Sequence, residues 1–200
     1  MTGDPPAPRC AGLLLTGGAS RRFGSPKADL RVRGERLADR TARLLVAAAA
    51  PVLEVGPGAS PLEAVLEDPP GAGPLAAMVA GADALAARGA ADLPALVVSV
   101  DLPFLSLDLL RALATAPAAD AVVPRVDGRA QPLCARYSPA ALEHAGLLVA
   151  DGARSMHALL DVLVVHWFDE PEWSAVVSAE SFVDVDTPED ARRVGLDPPG

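Results

Sequence analysis

The sequence predicts an α/β fold in three layers: a mostly parallel sheet flanked by helices. Three observations carry that reading. Short apolar runs recur along the chain, each closed by Gly, Pro or an acidic residue. Segments with helical apolar spacing lie between them, and this alternation is the mark of a covered parallel sheet. Half of the residues are apolar and few are aromatic, so a chain of 200 residues can bury one sizeable aliphatic core.

Ala11-Gly12-Leu13-Leu14-Leu15 is a short apolar run of the kind found in a strand buried on both faces. A helix is expected over 36–49, where Leu37, Leu44, Leu45 and Ala48 share a face, with Pro51 ending it. Strands follow at 52–56 and 64–68, the first closed by a Gly-Pro-Gly turn. The loop 69–74 leads to a helix over 75–87, with Pro74 suited to its first turn. Ala95 to Val100 is the clearest strand, apolar but for Ser99 until Asp101, and Ser106 can cap a helix over 107–114. A strand is expected at 121–124 and an edge strand at 131–137, since Pro132 cannot donate to a ladder.

Helices at 139–147 and 155–160 and a strand at 162–167 come next. Residues 182–186 alternate apolar and acidic, which as a strand sets Asp184 and Asp186 on one side. Thr187-Pro188-Glu189-Asp190 is a helix start, with a capping threonine, a first-position proline and acids in the first turn. The chain reads as one domain over 1–200, with residues 1–8 and 196–200 expected to be disordered.

The formal net charge of -9 argues against a nucleic-acid partner or an anionic membrane surface, both of which favour basic proteins. Cys10 and Cys134 are too few for a disulfide framework and lack metal-ligand spacing, so free thiols are expected. His144, His157 and His166 fit neither a metal site nor a triad. No apolar run reaches membrane length and the first nine residues do not resemble a secretory signal, so a cytoplasmic location is expected.

The chemistry concentrates after the first strand, in Leu15-Thr16-Gly17-Gly18-Ala19-Ser20-Arg21-Arg22-Phe23-Gly24-Ser25-Pro26-Lys27. Glycines let a ligand lie against peptide N–H groups, and Arg21, Arg22 and Lys27 offer the donors and charge that a triphosphate needs. In an acidic chain such a local patch stands out. The stretch has neither the Walker Gly-Lys-Ser/Thr ending nor the G-x-G-x-x-G spacing. On its residues alone, a tight strand-to-helix turn with solvated arginines also accounts for it.

The stretch resembles the L-A-G-G-x-S-x-R-M-G-x-D-K-A-L signature of molybdenum cofactor guanylyltransferases. Gly17, Gly18, Ser20, Arg22, Gly24, Lys27 and Ala28 coincide with it, while Thr16, Phe23 and Pro26 replace alanine, methionine and aspartate. Further segments resemble the family in the same order. They are Gly73-Pro74-Leu75 after Asp68, Asp101-Leu102-Pro103-Phe104-Leu105, Gln131-Pro132-Leu133 through Tyr137, and Thr187-Pro188-Glu189-Asp190. Together they cover most of the chain.

The resemblance implies a Rossmann-like nucleotidyltransferase fold and Mg²⁺-dependent transfer of GMP from GTP to molybdopterin or the molybdenum cofactor, with release of pyrophosphate. Molybdoenzymes or their chaperones would be partners. It implies that Arg22 and Lys27 bind the triphosphate and that Arg21 assists, while the backbone of Leu15, Thr16, Gly17 and Gly18, with Ser20, holds the base and ribose. Asp101 would hold the magnesium, a role its place beyond a strand's carboxyl end also suits. Asp186, and more weakly Asp184, would join Asp101 in metal binding or else simply cap the following helix, and both stand where the family usually has asparagine. Asp68, with Gly73 in the following turn, is a candidate for the guanine edge, although a strand-end turn explains it nearly as well. Arg129, Gln131 and Arg154 are candidates for the pterin or its phosphate, or else solvated loop residues. L-T-G-G at 15–18 is nearer the guanine-using pattern than the T-A-A-G of cytosine-using relatives. A cytidylyltransferase, another small-molecule nucleotidyltransferase and a non-catalytic cofactor-binding accessory protein are the alternatives.

Overall fold

The computed structural model describes residues 10–17 and 27–197. Strand β1 (Ala11–Leu15) precedes a 3-10 turn at Lys27–Asp29 and a hairpin of β2 (Arg31–Val32) and β3 (Glu35–Arg36). Next come α1 (Leu37–Ala48), β4 (Val52–Val55), β5 (Ala64–Val65), α2 (Pro74–Ala86), β6 (Ala95–Ser99) and α3 (Leu107–Thr115). The second half holds β7 (Ala121–Val126), β8 (Arg129–Ala130), β9 (Cys134–Tyr137), α4 (Pro139–Ala150), α5 (Met156–Leu160) and β10 (Val165–Phe168). Helix α6 (Glu170–Trp173), a 3-10 turn at Ala179–Phe182 and α7 (Pro188–Arg193) close the chain.

One sheet runs in the order β10-β7-β9-β6-β1-β4-β5, with β8 paired to β7. Strand β1 lies parallel to β4 and β6, β4 to β5, and β10 to β7. The central strands are apolar because both faces are covered. Leu14, Leu96 and Val98 pack on the side of α1 and α3, while Leu13, Leu15 and Val97 pack on the side of α2, α4 and α5. Helix α2 approaches closely because residue 81 is glycine. A Cβ there would lie 2.8 Å from both Leu13 methyls and 2.9 Å from Val55 Cγ2. The expected caps form: the Ser106 and Thr187 side chains each accept the amide three residues on, and Asp190 completes a capping box with Thr187.

Four expectations are corrected. The expected edge strand lies inside the sheet: β9 sits antiparallel between β6 and β7. Pro132 falls outside its ladder, and its buried Arg136 donates to the carbonyls of Ala114, Ala116 and Pro117. Residues 182–186 form no strand. Their alternation arises because Phe182 and Val185 are buried while Asp184 and Asp186 face solvent, with one backbone tie from Val185 N–H to the Asp101 carbonyl at 3.0 Å. The strand expected at 64–68 is cut to Ala64–Val65, paired with Glu54 and Val55 of β4. The tail expected to fray from 196 is held at its start, since Leu196 is buried and Asp197 exchanges backbone hydrogen bonds with Arg31. The β2–β3 hairpin had no apolar run to announce it; it turns through Arg33 and Gly34, both at positive φ.

Candidate active site

The carboxyl ends of β1, β4, β5 and β6 meet at one edge of the sheet, where open parallel sheets bind ligands. The chain leaving β1 is fixed there by its backbone. Thr16 and Gly17 N–H both donate to the Val55 carbonyl, and Val100 N–H donates to that of Leu15. The Leu15 side chain is buried in the core, so only its main chain belongs to the site.

Beneath this turn lies Glu54, a fully buried carboxylate within β4. Its Oε1 accepts the Thr16 hydroxyl and the amides of Gly58 and Ala59, and its Oε2 accepts the Ser60 amide and hydroxyl. The Thr16 hydroxyl is thus engaged with protein. Glu54 ties the turn after β1 to the loop after β4, and Gly56 allows them to touch. A Cβ on residue 56 would stand 2.1 Å from Thr16 Oγ1, at a φ of +152° that side chains avoid.

Across the edge, Asp101 follows β6. Lys27 Nζ lies 3.6 Å from Asp101 Oδ2 and 2.5 Å from Asp186 Oδ1. The Lys27 and Asp101 side chains are recessed, at 17% and 23% exposure, whereas Asp186 is 63% exposed. Burial pushes the Asp101 carboxyl above its usual range. A Ser99 hydrogen bond and the Lys27 charge act against that rise, and Asp186 and Asp184 add to it. Two carboxylates therefore face one cation. Among the described residues, exposed Asp184 makes no hydrogen bond and no set of three or more His, Cys, Asp or Glu side chains gathers as metal ligands.

The next wall is the segment after β5. Glu67 is buried, with Oε1 accepting the Gly71 amide at 2.9 Å, and Asp68 beside it is exposed. Gly73, at φ +109°, caps α2, and a Cβ on it would meet the Arg154 carbonyl at 3.4 Å. The turn carrying Arg154 therefore lies against the turn carrying Gly73, although the Arg154 side chain itself is exposed.

On the far side of β6, Ser99 N–H donates to the Leu133 carbonyl and Gln131 N–H to that of Pro124. The Tyr137 hydroxyl donates to the Pro132 carbonyl at 2.8 Å. The buried tyrosine thus pins the Gln131–Leu133 loop next to the strand that delivers Asp101. Arg129 is exposed on β8 and makes no ion pair among the described residues. In the same neighbourhood Arg125 pairs with Asp169 and lies 5.2 Å from the Trp167 ring centre.

The structure thus brings together Thr16, Gly17, Lys27, Asp101 and Asp186, with Asp68, Gly73, Gln131 and Arg154 on adjoining loops. Gly18, Ser20, Arg21 and Arg22 lie outside the described residues. Glu54, Glu67 and Ser99 escaped sequence reasoning. Glu54 carried a signal, a carboxylate inside an apolar strand that needs partners if buried.

The chain resembles known proteins along most of its length. Residues 12–166 match the model of the MobA-like NTP transferase domain. The chain is 34% identical over 199 residues to a Chloroflexus aggregans protein named "Probable molybdenum cofactor guanylyltransferase", covering 92% of each. It is 40% identical over 164 residues to an Opitutus terrae protein of the same name, covering 77% of this chain and 79% of that one. Among solved structures, "Molybdopterin-guanine dinucleotide biosynthesis protein A" from Archaeoglobus fulgidus superposes with a TM-score of 0.73 at 23% identity, covering 92% of this chain and 95% of that one. The nucleotidyl transferase of Methanothermobacter thermautotroptrophicus gives 0.69 at 15% identity, covering 93% and 95%.

Proposed function

The chain belongs to the MobA-like NTP transferase family and is a nucleotidyltransferase, and from that premise we propose that it transfers GMP from GTP to molybdopterin. The observation that carries the proposal is the convergence of Lys27, Asp101 and Asp186 beside the Thr16–Gly17 turn. A terminal phosphate oxygen of the pterin attacks the α-phosphorus of GTP. The bond from that phosphorus to the oxygen bridging the α- and β-phosphates breaks, and pyrophosphate leaves with the electron pair. Nucleophile and leaving group both belong to the substrates, so the protein aligns them and neutralises charge.

Magnesium fits the donor set, because Asp101 and Asp186 already share one cation, the Lys27 ammonium. A hard cation of this kind commonly takes one or two carboxylates together with substrate phosphates. When bound, it supplies charge neutralisation on the triphosphate. Asp101 and Asp186 are the residues that would hold it, with Asp184 as an outlying carboxylate. Lys27, released from the carboxylates, turns to the triphosphate with Arg22 and Arg21. The main chain of Leu15 to Gly18, with Ser20, receives base and ribose, and Asp68 and Gly73 line the nucleotide's far side. Gln131, Arg129 and Arg154 face the pterin. In this reading the whole chain is one cytoplasmic nucleotidyltransferase domain, and its product passes to a molybdoenzyme or a chaperone. Among the described residues no helix is long and apolar enough to cross a membrane.

The test is pyrophosphate release by the purified chain with Mg²⁺, molybdopterin and either GTP or CTP. Release that requires the pterin and prefers GTP is expected. Preference for CTP would move the chain to the cytosine-using relatives, and no release with either would rule out molybdopterin as the acceptor.

A further inference from the structure

We propose that Thr16 and Glu54 form a positioning pair for the nucleotide: the buried carboxylate holds the turn after β1 from beneath, through the Thr16 hydroxyl, where its main chain meets base and ribose. The inference rests on the nucleotide reading of that turn given above. Glu54 is fully buried, between Leu14 of β1 and Ala64 of β5 in the sheet, and its neighbours in β4, Leu53 and Val55, are buried and apolar. Stability alone would favour an apolar residue there, because the desolvation of a buried carboxylate commonly exceeds what its contacts contribute.

What Glu54 gains instead is five donors, all from the loops that leave β1 and β4 at the ligand edge of the sheet. Four belong to the loop after β4: the amides of Gly58, Ala59 and Ser60 and the Ser60 hydroxyl, at 2.9, 2.7, 2.7 and 2.6 Å. The fifth is the Thr16 hydroxyl, and among the described residues it makes the one side-chain hydrogen bond of 15–17. Burial acts to raise the Glu54 carboxyl, yet the bonds from Ser60, Thr16 and the loop amides hold it below its ordinary range, so the acceptor is ionised at neutral pH.

The other ties of the turn run through backbone. Thr16 and Gly17 N–H share the Val55 carbonyl at 3.1 and 3.3 Å, and the Leu15 carbonyl accepts from Val100. Two amides on one oxygen fix a distance but not the tilt about it. The Thr16 hydroxyl supplies a further point off that axis, and a bond to an ionised acceptor is of the stronger kind. Thr16 stands where the signature that this stretch resembles has alanine, which could not make the contact. A turn held in one pose offers its whole population to a ligand. One that tilts offers a fraction, and apparent affinity falls by that fraction.

The experiment is calorimetric titration of GTP and of CTP, with Mg²⁺, into the full chain and its Thr16→Ala, Thr16→Ser and Ser60→Ala variants, with the Tm of each. Thr16→Ala and Ser60→Ala each take one hydroxyl donor from the same carboxylate, so both should lower Tm, but only the first releases the turn. Thr16→Ala is expected to bind the preferred nucleotide ~10-fold more weakly, the low end for a hydrogen bond to a charged group, with Thr16→Ser and Ser60→Ala within about twofold of wild type. A Thr16→Ala protein that binds as tightly as wild type overturns the proposal, and so does a Thr16→Ser protein that fails to recover. Equal weakening in Ser60→Ala also overturns it, because affinity would then follow the general state of the Glu54 network. A wild type that prefers CTP refutes the GTP reading alone, and the same comparison made with CTP then decides the role of the pair. A wild type that binds neither nucleotide refutes both.

Discussion

Replacing Glu54 by glutamine should destabilise the protein more than any surface change, although the two side chains have nearly the same shape. Glutamine has one acceptor oxygen where Glu54 has two. Placing it at Oε1 keeps the bonds from Thr16, Gly58 and Ala59 but turns the amide nitrogen toward Ser60. The Ser60 hydroxyl can rotate to accept, but the Ser60 backbone N–H cannot. One buried unsatisfied donor costs about 1–3 kcal/mol, and the retained bonds lose the strength that a charged acceptor gives them, so the sum is ~3 kcal/mol. For a chain of this length that is a fall in Tm of roughly 6–12 °C.

The penalty should also depend on pH. Burial alone raises the Glu54 carboxyl, but hydrogen bonds from Ser60, Thr16 and the Ala59 and Ser60 amides outweigh it and hold the carboxyl below its ordinary 4.5. A depressed folded pKa means that the stabilisation is full above 4.5 and is lost as pH falls through the folded value. Urea unfolding of both proteins at neutral pH and across the acid range tests this. A gap under about 0.5 kcal/mol at neutral pH, the size of an ordinary surface change, would refute the reasoning. So would a gap that fails to narrow in acid.

Other predictions concern the opposite wall and the core. Asp101→Asn should abolish pyrophosphate release and leave Tm unchanged or higher. Burial raises the Asp101 carboxyl, so its contribution to stability is greatest below the unfolded pKa and falls as pH rises through the folded one; a lowered Tm or near-normal turnover contradicts this. Lys27→Ala should weaken GTP binding ~10-fold or more, as loss of a charge-assisted contact implies, and unchanged affinity by calorimetry would remove its role. Burial pushes the Cys134 thiol up to about 12 and raises that of Cys10 as well. Neither should react with a disulfide reagent in the native state and both should react in denaturant; a fast native thiol would contradict their burial.

Much of the fold was legible because β1, β4 and β6 are apolar runs bounded by turn residues, and α1, α2 and α3 carry helical spacing or strong caps. Period and punctuation are local properties, and here they agree with the tertiary structure. The failures share a cause. Residues 131–137 looked like an edge because Pro132 cannot donate to a ladder, yet Pro132 lies outside β9, whose buried Arg136 is satisfied by carbonyls near the end of α3 that no local rule could foresee. Residues 182–186 looked like a strand because their alternation has period two. That alternation records which side chains reach the core and says nothing about whether a ladder partner exists. Similarly, Glu67 and Asp68 are adjacent acids in the sequence, and only the packing of the 65–71 segment makes one recessed and the other exposed.

Charge shows most directly what composition could not supply. In a chain of net charge -9, the basic cluster ending at Lys27 reads as a free positive patch. Within the described residues, however, Lys27 is one positive charge set against two, Asp101 and Asp186. An ammonium held 2.5 Å from one carboxylate cannot also sit against a phosphate without giving up that contact. Vacating it would leave a recessed carboxylate, already raised by burial, beside a second negative group. That arrangement is unfavourable unless another cation takes the ammonium's place. Removing Lys27 therefore has two opposed effects, fewer donors for a triphosphate and freer carboxylates for a divalent ion. Nucleotide and metal affinities measured on the same variant should move in opposite directions.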